Sequence, residues 1–269
     1  MTSPAPTPLA HRITGEGPPV VLLNGGMMTF PAWEPFVERL GPRYQVLRFD
    51  FRGQLLSPGE PPADLAGHAA DALALLDRIG WPSAHWIGTS FGGAVAVEAA
   101  ARAPERARSL SAVTAIDRET PEFRRDGEAM HRILAEVLAG GDRGRFYDHL
   151  IGGVYSAGYR EAEATTLADR RRQVAQLPLA WYAGIDRLLA AMAGFDLTPR
   201  LAEVRCPALA VLAADDRVMS EERVRALAAA IGAEVAVHPT SGHGLVAEDP
   251  DWLAGVCRDF LDRAERGRP

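Results

Sequence analysis

Gly88-Thr89-Ser90-Phe91-Gly92 reads G-x-S-x-G, and it joins an apolar run, SAHWI, to a small-residue stretch, FGGAVAVEAAAR. A serine hydroxyl is a poor nucleophile until a base takes its proton. A sharp strand-to-helix turn lifts such a side chain out of a sheet, and flanking glycines remove side chains that would collide across the turn. The opening of a helix also aims backbone N–H groups at the reacting centre. The spacing therefore points to nucleophilic chemistry at Ser90, against the plainer reading of a packing turn with an inert serine.

Such a nucleophile needs a base. His243 stands between two glycines in PTSGHGLVAEDP, after the last strand-like run. The other histidines, His11, His68, His85, His131, His149 and His238, lack that combination of a flexible Gly-flanked loop and a place at the end of a sheet. A buried carboxylate would hold the imidazole tautomer and stabilise the imidazolium. VLAADDRVMS ends a strand on Asp215 and Asp216, and successive residues leaving a strand point in different directions, so one of them faces the histidine. Asp117, closing an earlier strand, is a third candidate.

The elements that must position these groups alternate. VVLLN, QVLRFD, SAHWIGTS, RSLSAVTAID, CPALAVLAADD and AEVAVHP read as strands. DLAGHAADALALLDRIG, FGGAVAVEAAARAPE, SEERVRALAAAIG and DPDWLAGVCRDFLDRAE read as helices. That rhythm predicts an α/β fold with a mostly parallel central sheet and helices on both faces. Ligands of such sheets bind beyond the carboxyl ends of the strands, where Asn24, Asp50, Ser90, Asp117, Asp215, Asp216 and His243 fall. From 118 to 200 strand-like runs nearly vanish and helix formers dominate. The expected organisation is a core of 1–117 and 201–269, with a helical cap over 118–200. The prolines of SPAPTP disfavour a central strand there, so LAHRITG is expected to be the first reliable one.

Composition narrows the partners. A net charge of -6 with no basic block argues against nucleic acid. No uncharged apolar run reaches the length of a membrane span, and the start of the chain does not read as a secretory signal. Two cysteines, Cys206 and Cys257, form neither a metal nor a redox spacing. A cytoplasmic protein with a small-molecule substrate is expected, with no metal, no cofactor and no membrane partner.

On these residues the sequence resembles the α/β-hydrolase superfamily, in the group of small esterases, enol-lactonases and cofactor-free haloperoxidases. The order Ser90, Asp, His243 is the family order. DDRVMS resembles the family's acid turn, a register that selects Asp216, with Ser220 where proline is usual. GHGLVAEDP matches G-H-x-x-x-x-E-x-P and brings in Glu248. VLLNGGMM resembles the H-G-x oxyanion turn, with Asn24 in place of histidine. The resemblance makes Gly26 one backbone donor, with Met27 as fallback, and Phe91 the other. FDFRGQLLSPG resembles D-x-R-G-x-G-x-S, with Leu55 replacing a glycine, and reads as a structural turn beside the active-site loops. The resemblance places the cap after the sixth strand of the family pattern.

Met27, Met28 and Trp33, just after the oxyanion turn, are expected to reach the pocket. Trp181, Tyr182, Met192, Phe146 and Tyr155 in the cap either line it or, in the plainer reading, glue the cap helices together. DRRRQ (169–173) reads as a solvated helix face. The expected activity is hydrolysis of a small ester or lactone through an acyl-enzyme on Ser90. The same triad would also serve perhydrolysis, thioester or C–C bond hydrolysis, acyl transfer, or a ligand-binding receptor built on a hydrolase scaffold.

Overall fold

Short runs rich in Val, Leu and Ala, each closed by a turn, form seven strands in a computed structural model that describes residues 9–57 and 59–267. In chain order the elements are β1 (His11–Thr14), β2 (Pro19–Leu23), α1 (Glu34–Leu40), β3 (Gln45–Phe49), α2 (Leu65–Arg78), β4 (Ala84–Thr89), α3 (Phe91–Arg102) and β5 (Ala107–Val113). There follow α4 (Pro121–Leu138), α5 (Gly144–Val154), α6 (Ala157–Ala162), α7 (Ala164–Ala175), α8 (Leu179–Ala190), β6 (Ala208–Ala213), α9 (Glu221–Ala230), β7 (Glu234–His238), α10 (Leu245–Glu248) and α11 (Pro250–Arg266).

The strands order as β1-β3-β2-β4-β5-β6-β7. β1 lies antiparallel on β3 and every other pairing is parallel, as the strand–helix rhythm predicts. The chain steps from β2 outward to β3, then crosses to the other side of β2 as β4. That reversal opens a crevice at the carboxyl ends of β2 and β4, the place where open α/β sheets bind ligands. The pairings Leu23↔Gly88, Thr89↔Val113, Val113↔Val211 and Ala213↔His238 bring the ends of β2, β4, β5, β6 and β7 to one rim. β1 is a four-residue edge strand within LAHRITG. The SPAPTP segment lies outside the described residues.

Alternate strand residues feed two cores. One face packs Leu47, Phe49, Trp86, Leu110, Ala112 and Leu212 against α2, α3 and α9. The other packs Val20, Leu22, Val46, Ile87 and Val211 against α1 and α11. α3 is buried from Phe91 to Ala101, which explains its glycines and alanines: a helix buried all round needs small side chains to lie close to a sheet. Side-chain caps at Asp64, Thr120, Ser220 and Asp249 start α2, α4, α9 and α11.

β5 is shorter than RSLSAVTAID suggests. It ends at Val113, because Thr114 takes φ 45° and turns the chain off the sheet, while its N–H still donates to Val211 O. Five helices, α4 to α8, then fill the segment before β6. Their outgoing and returning chains meet in a short antiparallel bridge, Arg118↔Asp196, flanked by Glu119 N–H to Phe195 O and Leu197 N–H to Asp117 O. The insert carries its own apolar cluster of Met130, Leu134, Val137, Phe146, Trp181, Tyr182 and Ile185.

Candidate active site

Ser90 stands between β4 and α3 at φ 55°, ψ -120°, a backbone conformation that only glycine adopts without strain. The strain is sustained by close approach on both sides. A Cβ on Gly88 would strike the carbonyl of Gly92, and one on Gly92 would meet Leu23 O and, at 2.5 Å, Asn24 O. A Cβ on Gly93 would lie 2.6 Å from that of Ala115. Serine 90 is partly exposed in an otherwise buried stretch, and its own N–H is tied to Val113 O at 2.9 Å. Its hydroxyl therefore faces the rim and not the core.

Three carboxylates compete for the histidine, and packing separates them. Asp117 is buried and taken by Arg223, whose Nε donates to Oδ1 at 2.9 Å. Asp215 turns outward to Arg217. Asp216 turns inward: its Oδ1 accepts from the N–H groups of Val218 and Met219 at 2.8 and 2.9 Å, and its Oδ2 lies 2.9 Å from Nδ1 of His243. If Nδ1 carries the hydrogen and donates it to the carboxylate, Nε2 of His243 is left as an acceptor. It has no protein partner among the described residues, and neither does the Ser90 hydroxyl.

Other histidines show why His243 differs. His238 also has an aspartate, with Nε2 3.2 Å from Asp249, but its Nδ1 accepts from Ser241 N–H at 2.9 Å, so both nitrogens are used. Ser109, His85 and Glu265 form a serine–histidine–acid line at 2.7 and 2.9 Å, yet Ser109 and His85 are fully buried at the opposite end of the sheet. His68 is buried edge-on to the rings of Phe51 and Phe91, and burial pushes its pKa down to about 4.

The turn after β2 is held by a buried polar network. Asn24 Nδ2 donates to Asp50 Oδ1 and Gln54 Oε1, both at 3.0 Å, and Asn24 Oδ1 accepts from Trp33 Nε1 at 3.0 Å. Gln54 Nε2 donates on to Gly25 O at 3.0 Å. Asp50 further accepts from the N–H groups of Phe30 and Leu56, while desolvation raises its pKa. The amide at position 24 thus ties down the loop where the family motif has histidine. FDFRGQLLSPG is the anchoring turn expected of it; Gln54 completes it, with no signal in the sequence beyond its place in that segment. Gly26 packs against Phe91, its hypothetical Cβ 3.8 Å from Phe91 Cβ, and the N–H groups of both residues lack protein acceptors among the described residues.

The residues expected at the pocket divide. Met27 packs with Leu55 against the insert's apolar cluster, which contains Trp181. Trp181 is itself nearly buried against Phe146 and Tyr182, so it mainly joins the insert helices. Trp33 is a correction: it is fully buried against Phe36, with its indole N–H bound to Asn24, and supports the loop from beneath. Met28 turns the same way, into the second core cluster, with its sulfur 3.4 Å from Gly25 N. The glycines beside His243 also differ from expectation. They serve close packing, since Cβ atoms there would lie 2.7 Å from Ser156 N and 2.6 Å from the Tyr155 ring.

Among the described residues no group of three or more His, Cys, Asp or Glu side chains is placed to hold a metal ion, and no helix is long and apolar enough to cross a membrane.

A strained serine between β4 and α3, on the same sheet rim as an aspartate–histidine pair, fits the architecture of an α/β hydrolase. Residues 20–256 match the model of the alpha/beta hydrolase family, and the chain belongs to that family. It is 31% identical over 261 residues to a protein of Azorhizobium caulinodans named "Putative carbamate hydrolase RutD", covering 94% of this chain and 96% of that one. The enol-lactonase of Burkholderia xenovorans LB400 superposes with a TM-score of 0.81 at 26% identity, over 94% of this chain and 96% of the other. An alpha/beta hydrolase enzyme from a Medee basin deep-sea metagenome library shares the fold, with a TM-score of 0.88 at 21% identity over 94% of each chain.

Proposed function

We propose that the chain is a serine hydrolase that cleaves a small ester or lactone through an acyl-enzyme. The observation that carries this reading is the Asp216–His243 pair, 2.9 Å apart, on the same rim as the strained Ser90. Ser90 Oγ attacks the carbonyl carbon while His243 Nε2 takes its proton. Asp216 holds the imidazole tautomer and stabilises the imidazolium. The N–H groups of Gly26 and Phe91 bind the oxyanion, each donor worth roughly 3 kcal/mol of transition-state stabilisation. The carbon–oxygen bond to the leaving group breaks, and that oxygen receives the proton from His243. Water then attacks the acyl-enzyme with His243 as base. No metal or cofactor has a part in these steps.

In this reading 118–200 forms a cap over a core of 1–117 and 201–269, and Met27 with the cap's apolar cluster bounds the acyl side of the pocket. The substrate is a small molecule. The unpaired Cys206 and Cys257 fit a reducing, cytoplasmic setting.

A second reading keeps the machinery and changes the bond. The relative 31% identical to this chain is named "Putative carbamate hydrolase RutD", and a carbamate carbonyl admits the same attack, leaving a carbamoyl group on Ser90. A panel of short aryl esters, lactones and aryl carbamates separates the two by kcat/KM. A fluorophosphonate tests what they share: rapid labelling, abolished in Ser90→Ala, supports catalysis, whereas no labelling of wild type would favour a receptor on this scaffold.

A further inference from the structure

Neither amide beside the imidazole is held by the sheet: one ends on α10 and the other on the insert. Gly242 N–H donates to Glu248 Oε1 at 3.1 Å, and Gly244 N–H donates to Val154 O at 2.8 Å. The same Glu248 carboxylate reaches the junction of α5 and α6. Its Oε1 accepts from Ser156 N–H at 2.9 Å and its Oε2 from the Ser156 hydroxyl at 2.6 Å. Ser156 is nearly buried and in turn caps α6, its Oγ accepting from Tyr159 N–H at 3.2 Å. Glu248 has no cationic partner among the described residues, so its charge is met by three neutral donors.

We infer that Glu248 and Ser156 are positioning residues for His243, through which the α5–α6 junction of the insert sets where the imidazole stands; this rests on the reading of Ser90 and His243 given above. The geometry supplies the reason. Asp216 fixes Nδ1 at one point, which leaves the ring free to swing about that bond. The reach of Nε2 toward Ser90 then depends on the backbone at 242–244, and both flanking amides end on Glu248 or on the insert. A displacement of about 1 Å at a reacting group lowers rates by roughly 100-fold. Gly153 also lies beside Val218 of the acid turn, its hypothetical Cβ 3.8 Å away, so the same junction abuts both halves of the pair.

The test compares Glu248→Ala, Glu248→Gln and Ser156→Ala for fluorophosphonate labelling rate and for kcat and KM on a short aryl ester, with folding checked by thermal melting. Glu248→Ala is expected to slow labelling and lower kcat about 10- to 100-fold, with KM within about twofold of wild type. Glu248→Gln is expected to stay within about threefold, because its amide oxygen still accepts both backbone N–H groups and its NH2 donates to the Ser156 hydroxyl. Ser156→Ala, which removes only the hydroxyl, is expected to lower kcat about three- to tenfold at unchanged KM, and it carries the test if Glu248→Ala does not fold. Wild-type kcat in the folded alanine variants, or equal loss in Glu248→Gln and Glu248→Ala, overturns the inference. Failure of the underlying reading looks different: wild type itself is then not labelled at Ser90.

Discussion

Asn24 Nδ2 donates to Gln54 Oε1 across 3.0 Å, joining the turn after β2 to the turn after β3 beneath the backbone proposed to bind the oxyanion. Gln54 passes the contact on to Gly25 O, and Trp33 and Asp50 complete the cage around Asn24. Every member is buried, so none has water as a substitute partner.

Removing the amide at 24 therefore leaves several buried groups unpaired. Asn24→Ala is expected to lower stability by about 2–4 kcal/mol, since each orphaned group carries roughly 1–3 kcal/mol of desolvation. Urea unfolding measures the loss, and kcat on an aryl ester falls with it as the Gly25–Gly26 backbone loosens.

Ser90→Gly is expected to be inactive yet more stable than wild type. At φ 55°, ψ -120° a non-glycine residue bears about 1–3 kcal/mol of strain. Glycine relieves that at an entropic penalty of about 0.5–1 kcal/mol, so a net gain near 1 kcal/mol is expected by thermal or chemical denaturation. Equal or lower stability would contradict the claim that the turn stores strain.

Gly92→Ala acts in the opposite sense. Its methyl would press on the carbonyls of Leu23 and Asn24, which belong to β2 and its turn and do not yield as a flexible side chain would. A loss of about 2–4 kcal/mol is expected, together with loss of fluorophosphonate labelling.

Asp216→Asn tests the acid. It preserves shape, removes the charge and favours the wrong imidazole tautomer, so kcat is expected to drop about 10⁴-fold with folding intact. Asp215→Asn, which only releases the exposed Arg217, is expected to be within about twofold of wild type in kcat.

His68 makes stability depend on acid. Burial lowers its pKa from 6.5 to about 4 in the folded chain, so below pH 6.5 the unfolded chain binds the extra proton. Its contribution is fully present above pH 6.5 and is lost as pH falls toward 4, by about 3 kcal/mol in all. His68→Leu is expected to flatten stability between pH 6.5 and 4 in urea titrations, whereas a slope unchanged by the substitution would place the acid sensitivity elsewhere.

Residue type and order alone determined the strand–helix alternation, the glycines that let the Ser90 turn exist, and the place of His243 in the loop after the last strand, because periodicity, turn chemistry and motif spacing are local properties of the chain. Residue type left three aspartates open and only the family register pointed to Asp216; the contact itself with the histidine is a matter of tertiary structure. Asp117, Asp215 and Asp216 are alike as side chains, and they are told apart by where Arg223, Arg217 and His243 arrive from distant segments. Trp33 likewise reads as a pocket residue from its position and proves buried, since only the packing of α1 and the Asn24 cage assigns its face. The bond from Ser156 to Glu248 spans 92 residues, and neither side chain carries a mark of the other. Contacts of that range depend on how the insert seats on the rim, a property of the whole fold that no short stretch of sequence encodes.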